Sequence, residues 1–487
     1  MFNKKTILTL ATALLSVGVL ASCGGGGGGN KKADTLYVCV YDGGYGTSWI
    51  DTLAKNYEAK TGTKVEWKAD SEILNRIENQ LSKKSDYDIY MSHDINWEQF
   101  AARGYLENLD DLYESDVQVG SSTKKFKDRV ISTALKVSKT EGRDGSEHYY
   151  KVCYTQGAGG FIYNIDMFRE NGWSVPTTYA ELKTLCQTIV DAKVDAGDRT
   201  FVKPFAWSGN DRQYYWDYPL FEWWAQLAGI EKVEQVKKYL GPTGKYADGY
   251  EMYNPSSYYK EFIQAYDMWF DLVAENPTYS NTGAQGAILA TAQSLFNSGK
   301  AAMIPYAQWG KYELMQANGG QALDFDIGMM QTPKATASAQ HVNYNVGFGD
   351  TILIPNNASD ESKALAKDFL RFMAEPESCK TFVEKSDGAF LAFDYADVTL
   401  GDLESDTYIK SVYEKITAST NFNMVSDNPI CFANTNKVMP WIENYYYYAS
   451  AMGTDKANCT PEKVGAEMYK KAKDNWSTWL SNAGLHD

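Results

Sequence analysis

The sequence predicts an α/β protein of two lobes built on mainly parallel sheets. Two observations carry that expectation. Residues 36–91 alternate strand and helix patterns in the order β-α-β-α-β, the opening of a mainly parallel sheet. The chain also has 487 residues, more than one hydrophobic core comfortably holds.

In chain order, the N-terminus comes first. Lys4 and Lys5 precede an apolar run from Ile7 to Leu20, which has signal-peptide length and is short for a membrane span. Leu20-Ala21-Ser22-Cys23 then has the form of a bacterial lipobox, in which the cysteine is acylated and becomes the new N-terminus. The alternative is an ordinary secretory signal with an incidental cysteine. Polyglycine maximises backbone entropy and buries nothing, so after a signal peptide at 1–22 the segment 23–33 reads as a tether. Each buried CH₂ of an acyl chain contributes about 0.8 kcal/mol, and two palmitate-like chains anchor stably. The expected location is therefore the outer face of a cell membrane, lipid-anchored through Cys23. That excludes cytosolic enzymes and most users of ATP or nicotinamide, and no cofactor is expected.

Loss of residues 1–22 removes Lys4 and Lys5 and takes the net charge from −15 to −17. So acidic a body is unsuited to nucleic acid or to an anionic lipid surface. Aromatic residues make up 14% of the chain, with 13 Trp and 35 Tyr, and rings with polar handles suit amphipathic ligands. Beyond Cys23 lie Cys39, Cys153, Cys186, Cys379, Cys431 and Cys459, with wide spacings and no CxxC. They either pair outside the cell or stay reduced as small apolar residues.

Leu36–Tyr41 (L-Y-V-C-V-Y) is a strand entering the loop D-G-G-Y-G. Trp49 to Lys60 has helical spacing, Thr61-Gly62-Thr63 ends it, and K-V-E-W follows as a strand. Ile73–Leu81 reads as a helix and Tyr87–Met91 as a strand ending at Ser92-His93-Asp94. Ligands of such sheets lie at the carboxyl ends of strands, which places Asp42–Tyr45 and Ser92–Trp97 at one edge.

Y-D-I-Y-M-S-H-D (87–94), followed by F-A-A-R-G-Y-L-E-N-L-D-D-L, resembles the first lobe of the family 1 extracellular solute-binding proteins. Four further segments resemble that family in the expected order. They are Y-T-Q-G-A-G-G-F-I-Y-N-I-D-M-F (154–168) with V-P-T-T-Y-A-E-L (175–182), F-N-S-G-K-A-A-M-I-P-Y-A-Q-W (296–309), the stretch 345–378, and M-P-W-I-E-N-Y-Y-Y-Y-A (439–449). Thr178 with Glu181 also fits a helix capping box. The resemblance implies a periplasmic-binding-protein-like fold of class II, with the ligand cleft between lobes. Lobe one would be 34–153 plus 346–388, and lobe two 154–345 plus 389–487. It further implies closure on a carbohydrate by a hinge and delivery to the permease subunits of an ABC importer, with the receptor acting as a monomer.

Sugars present hydroxyls and an apolar C–H face, so a sugar site combines carboxylates or amides with Trp or Tyr. Asp42 and Tyr45 lie in the first loop; Asp42 is either a ligand or a turn residue. Asp94 falls where the family places a ligand carboxylate, or it caps the next helix. Gln156 faces the cleft by analogy. In Q-Y-Y-W-D-Y-P-L-F-E-W-W (213–224), Tyr214, Tyr218 and Phe221 fit a core, while Tyr215 and Trp216 match the family's aromatic position. Trp309 matches the family's sugar-stacking tryptophan. Trp441 and Tyr447 belong to the C-terminal helix that lines the cleft in relatives, and Asp350 is either a ligand or a turn residue. The insert at 229–260 and the aromatic richness suggest an oligosaccharide; amino-acid, peptide or polyamine ligands are the other options.

Two rivals belong to other classes. A secreted glycosidase needs two carboxylates at a defined separation, and 62 acidic residues always allow a pair. There is, however, no G-x-S-x-G elbow and no H-E-x-x-H, and His93, His148, His341 and His486 are scattered. A non-closing polysaccharide adhesin is the second rival. No catalytic or metal-ligating residue is assigned.

Overall fold

The structure is a computed structural model that describes residues 34–93, 95–424, 430, 445–453 and 455–485. Backbone contacts divide Met1–Lys32 from Ala33–Asp487, and only the second unit is described below. The lipidation expected at Cys23 lies outside the described residues.

The first sheet opens with three parallel strands, β1 (Thr35–Val40), β2 (Lys64–Ala69) and β3 (Ile89–His93). Val38, Val40, Ile89 and Met91 are fully buried, as the apolar runs require. Helix Ser48–Thr61 crosses from β1 to β2 and buries Trp49, Ile50, Leu53 and Tyr57 at helical spacing. Two hairpins follow, β4 with β5 (Asp116–Val119, Ser122–Lys125) and β6 with β7 (Lys139–Glu141, Glu147–Tyr149). The chain then enters β8 (Val152–Cys153), crosses through β9 (Thr155–Gln156) and starts a second sheet with β10 (Gly159–Asn164). That sheet adds β11 (Lys203–Phe205), β12 (Ala301–Ala307) and β13 (Ile327–Met330) in the order β11-β12-β10-β13. The capping box at Thr178 and Glu181 is present and starts helix Tyr179–Ala192 against this sheet.

The return runs through β14 (Val342–Tyr344) to β15 (Asp350–Leu353), which inserts antiparallel between β3 and β8. The first sheet therefore reads β2-β1-β3-β15-β8. Two short strands complete the crossings: β16 (Phe390–Leu391) pairs with β9, and β17 (Thr420–Phe422) pairs with β14. Amides lace the crossings together. Asn345 Oδ1 accepts from the backbone N–H groups of Gly157 and Gly347 at 3.0 and 3.2 Å, and Asn343 Nδ2 donates to the Gly157 carbonyl at 2.9 Å.

Register fixes which edges meet. Asp350 pairs with His93 and Thr351 with Cys153, so the carboxyl ends of β3 and β8 share an edge with the start of β15. In the second sheet β11 and β12 are parallel, and Ala307 at the end of β12 pairs with Gly159, where β10 leaves the crossing. Each sheet thus turns its carboxyl edge toward the crossings.

Several expectations are corrected. The helix expected over 73–81 is a 3₁₀ turn at Ile73–Asn75 followed by a helix at Ile77–Ser82, broken at Arg76, whose guanidinium binds Asp70. The strand expected at 87–91 runs from Ile89 to His93. Asp88 is held beforehand by its own N–H to the Tyr37 carbonyl and by its carboxylate accepting the Tyr37 N–H. Residues 390–397, which the family resemblance would place in lobe two, contact residues 129 and 130: Phe393 bridges Val130, and buried Arg129 pairs with Asp397 at 3.2 Å. The 229–260 insert packs on the final helix, Pro461–Ala483, with Tyr469 donating to Glu251 at 2.6 Å. Those contacts are structural and say nothing about ligand length.

Cys39, Cys153, Cys186, Cys379 and Cys459 are buried thiols; Cys431 lies outside the described residues. No described helix is long and apolar enough to cross a membrane, and no described group of three or more His, Cys, Asp or Glu could hold a metal ion.

Candidate functional site

Where the two carboxyl edges meet, the turn Asp42–Gly46 of the first lobe lies against the end of β12. A Cβ built on Gly44 would fall 2.8 Å from Trp309 Cγ, and one on Gly46, at φ +60°, would fall 2.6 Å from Tyr312 Cζ. Only glycine lets the turn come this close.

Between those glycines, Tyr45 reaches into a polar cluster at the crossings. Its hydroxyl donates to Asp350 Oδ2 at 2.8 Å, and the Thr155 hydroxyl donates to the same oxygen at 2.8 Å. Gln308 Nε2, from the second lobe, reaches the Tyr45 hydroxyl at 3.4 Å. Burial, and then the Asp350 charge, push the Tyr45 phenol well above its usual range, so it stays a donor. Beside this cluster Gln308 Oε1 and the Tyr154 hydroxyl are buried and have no hydrogen-bond partner among the described residues.

The second-lobe wall is aromatic. Half-buried Trp309 follows β12 and donates through Nε1 to the Tyr215 hydroxyl at 3.4 Å. Tyr215 stacks with Tyr218 at 5.4 Å between centroids, and Tyr218 stands edge-on to Trp309 at 6.2 Å. Tyr45 is also edge-on to Trp309, at 6.2 Å. One helical turn past Trp309, half-buried Glu313 accepts the Tyr306 hydroxyl. Burial raises its carboxyl pKa against the opposing effects of that bond and of Arg212.

The structure brings together Tyr45, Trp309, Asp350 and Tyr215, with exposed Asp42 at the rim of the turn. Two sequence expectations fail here. Trp216 is fully buried, with rings of Phe205, Phe161 and Trp207 at 5.1, 5.7 and 6.1 Å, so it offers no face to a ligand. Gln156 turns away from the cleft: its Nε2 donates to the carbonyls of Leu391 and Phe393 at 3.0 and 2.7 Å, which ties the crossings. Asp94 and Trp441 lie outside the described residues, as does the side chain of Tyr447, whose backbone is in helix Tyr445–Met452. Sequence reasoning missed Thr155, Gln308, Arg212 and Glu313, while Tyr218, expected in the core, is buried there with an edge toward Trp309. Gln308 adjoins Trp309 in the same motif and Glu313 follows it at i+4, a spacing that shares a helix face.

Residues 52–393 match the family of bacterial extracellular solute-binding proteins. The chain belongs to that family. This solute-binding protein is 24% identical over 209 residues to the diacetylchitobiose-binding protein NgcE of Streptomyces coelicolor, covering 38% of this chain. The alignment spans 42% of that relative's length. Among solved structures, RafE in complex with raffinose, a protein also solved in apo form from Streptococcus pneumoniae, has a TM-score of 0.63 at 18% identity. It covers 90% of this chain and 99% of its own. The GacH receptor of Streptomyces glaucescens GLA.O, solved unliganded and with acarbose, has a TM-score of 0.62 at 15% identity, covering 91% and 99%. At those identities the likeness establishes the fold of this solute-binding protein: two α/β domains with a cleft between them.

Proposed function

We propose that this protein captures a carbohydrate of oligosaccharide size between its lobes and delivers it to an ABC importer. The observation that carries the reading is the pairing at the cleft of half-buried Trp309, backed by buried Tyr215 and Tyr218, with the polar cluster of Tyr45, Asp350 and Gln308. An apolar ring face beside clustered donors and acceptors matches the two surfaces of a sugar. Relatives named for diacetylchitobiose, raffinose and acarbose support the same ligand class. Of the residues named from sequence, Asp42, Tyr45, Tyr215, Trp309 and Asp350 remain candidate contacts. A ligand touching both lobes favours the closed form by its differential affinity, and the permease would read that form.

The receptor works as a monomer tethered to the membrane through acylated Cys23 and its glycine run. A thermal-shift screen against a glycan panel, followed by small-angle scattering, tests capture and closure together. Stabilisation by an oligosaccharide with a smaller radius of gyration is expected; a tight ligand that leaves the scattering curve unchanged would favour an adhesin. For the anchor, Cys23→Ala should release the protein from membranes or leave it unprocessed. A variant cleaved and retained like the parent defeats that part of the reading.

A further inference from the structure

We infer that Arg212 and Glu313 form a second polar subsite beside Trp309, which reads two neighbouring hydroxyls of a neutral sugar ring. The inference rests on the carbohydrate-capture reading and adds to it the residues and the charge class of the ligand.

Both residues stand at the carboxyl edge of the second sheet. Arg212 closes the loop that leaves β11, directly before the turn that carries Tyr215, and Glu313 follows Trp309 by one helical turn, its N–H bonded to the Trp309 carbonyl at 3.1 Å. The guanidinium carbon of Arg212 sits 5.8 Å from the Tyr214 ring centroid, and Tyr214 is 5.1 Å from Tyr215. Tyr215 in turn touches Trp309.

Each charge has hydrogen-bonding capacity that the fold does not use. Among the described residues, half-buried Arg212 makes one side-chain hydrogen bond, from Nη1 to the Asp211 carbonyl at 2.9 Å. Among the same residues, the carboxylate of half-buried Glu313 accepts from Tyr306 alone. The two attract each other through space, but neither makes an ion pair within 4 Å among the described residues. A stability role would draw the pair into contact, because a bidentate Arg–carboxylate bond is the strong form of this interaction.

Their chemistry defines what fits between them. A guanidinium only donates and a carboxylate only accepts. Two adjacent hydroxyls satisfy both at once, one oxygen accepting from Arg212 while the other O–H donates to Glu313. A carboxylate-bearing sugar would gain Arg212 but meet the like charge of Glu313. The pair therefore selects neutral sugars.

Calorimetric titration with raffinose, N,N′-diacetylchitobiose and maltotriose as neutral probes and digalacturonate as the acidic probe tests the assignment. The protein should bind a neutral probe and discriminate against digalacturonate. Arg212→Gln and Glu313→Gln should each weaken the neutral probe by about 10- to 100-fold, the range for hydrogen bonds to charged groups. Glu313→Gln should also narrow the gap to digalacturonate, which a purely structural role would not do. Melting curves of the same variants separate a folding defect from a lost contact, and Arg212→Lys should recover part of the affinity. A parent protein that binds none of the four probes overturns the capture reading and the subsite with it. A parent that binds, with both glutamine variants indistinguishable from it, overturns the subsite alone, as does tighter binding of digalacturonate than of every neutral probe.

Discussion

On the first-lobe side the cleft is faced by a turn with three glycines around one tyrosine; on the second-lobe side it is faced by Trp309, held from behind by buried Tyr215 and Tyr218. The glycine wall has almost no side-chain thickness, so its backbone can press against an indole. The aromatic wall has broad rings held in register by one another and by helix Asp217–Ala228, whose Glu222 pairs with Lys415 in the buried core at 2.8 Å. Approach and grip are thus assigned to different lobes. Residues on one side should govern how far the lobes close, and residues on the other how tightly a ring is held once they have.

Four substitutions test that division, beginning with the largest effect. Trp216 neighbours Tyr215 in sequence but lies in the core, so Trp216→Ala should cost about 3–5 kcal/mol of folding stability. Its affinity for a bound glycan, measured below the melting transition, should stay within about threefold of the parent, since the ring does not reach the cleft. Lost affinity with an unchanged melting curve would put Trp216 back at the site.

Trp309 should behave in the opposite way. An indole stacked on a pyranose removes on the order of 100 Å² of apolar surface from water, roughly 2–3 kcal/mol at about 25 cal/mol per Å². Trp309→Ala should then weaken binding by roughly 30- to 150-fold, and Trp309→Phe by far less. Calorimetry beside a melting curve decides it: intact affinity with a collapsed melting temperature assigns Trp309 to the core.

Gly44→Ala addresses the thin wall. A Cβ there meets the Trp309 side chain at 2.8–2.9 Å, and overpacking of that kind costs about 1–3 kcal/mol. The cost should fall on the closed form, so saturating glycan should compact the variant less in scattering, with affinity down by about tenfold. Gly286→Ala, where a Cβ meets nothing within 4 Å, is the matched control. Equal compaction in both variants would show that the turn does not limit closure.

Tyr45→Phe should have the smallest effect. It removes one hydroxyl that bonds Asp350 and receives Gln308, a loss felt by the folded protein with or without glycan, so calorimetric affinity should fall only a few-fold. Asp350 keeps its bond from Thr155, which is why the loss stays modest.

Much of the scaffold was legible in the sequence because it rests on local rules. Apolar runs marked β1 and β3 to within two residues, and the Thr178 capping box needed only a four-residue pattern. The crossings became legible only through the family resemblance, since Asn345 finds Gly157 across 188 residues of chain. In the aromatic run, helical spacing placed Tyr218 and Phe221 in the core, and both are buried. Trp216, carried to the ligand by the family's aromatic position, went inward instead, in the 3₁₀ turn Gln213–Trp216 that precedes the α-helix at Asp217. Gln156 shows a different limit: a strand at a crossing has partners on several sides, and nothing local tells a cleft-facing amide from one that ties the backbone.

The five buried thiols among the described residues have a use in the test tube. Burial lifts Cys39 to about 11 and, despite neighbouring Arg129, Cys379 to about 12, so almost none of either is thiolate at neutral pH. Alkylating reagents attack the thiolate, and these sulfurs are also shut away from reagent, so modification waits for the surrounding structure to open. Cys39 and Cys153 sit in strands of the first sheet, and Cys379 lies in helix Pro376–Lys385, packed with that lobe; Cys186 and Cys459 lie in the core of the second. Timed alkylation followed by peptide mass spectrometry would therefore record which half of the molecule unravels first, without a label being introduced.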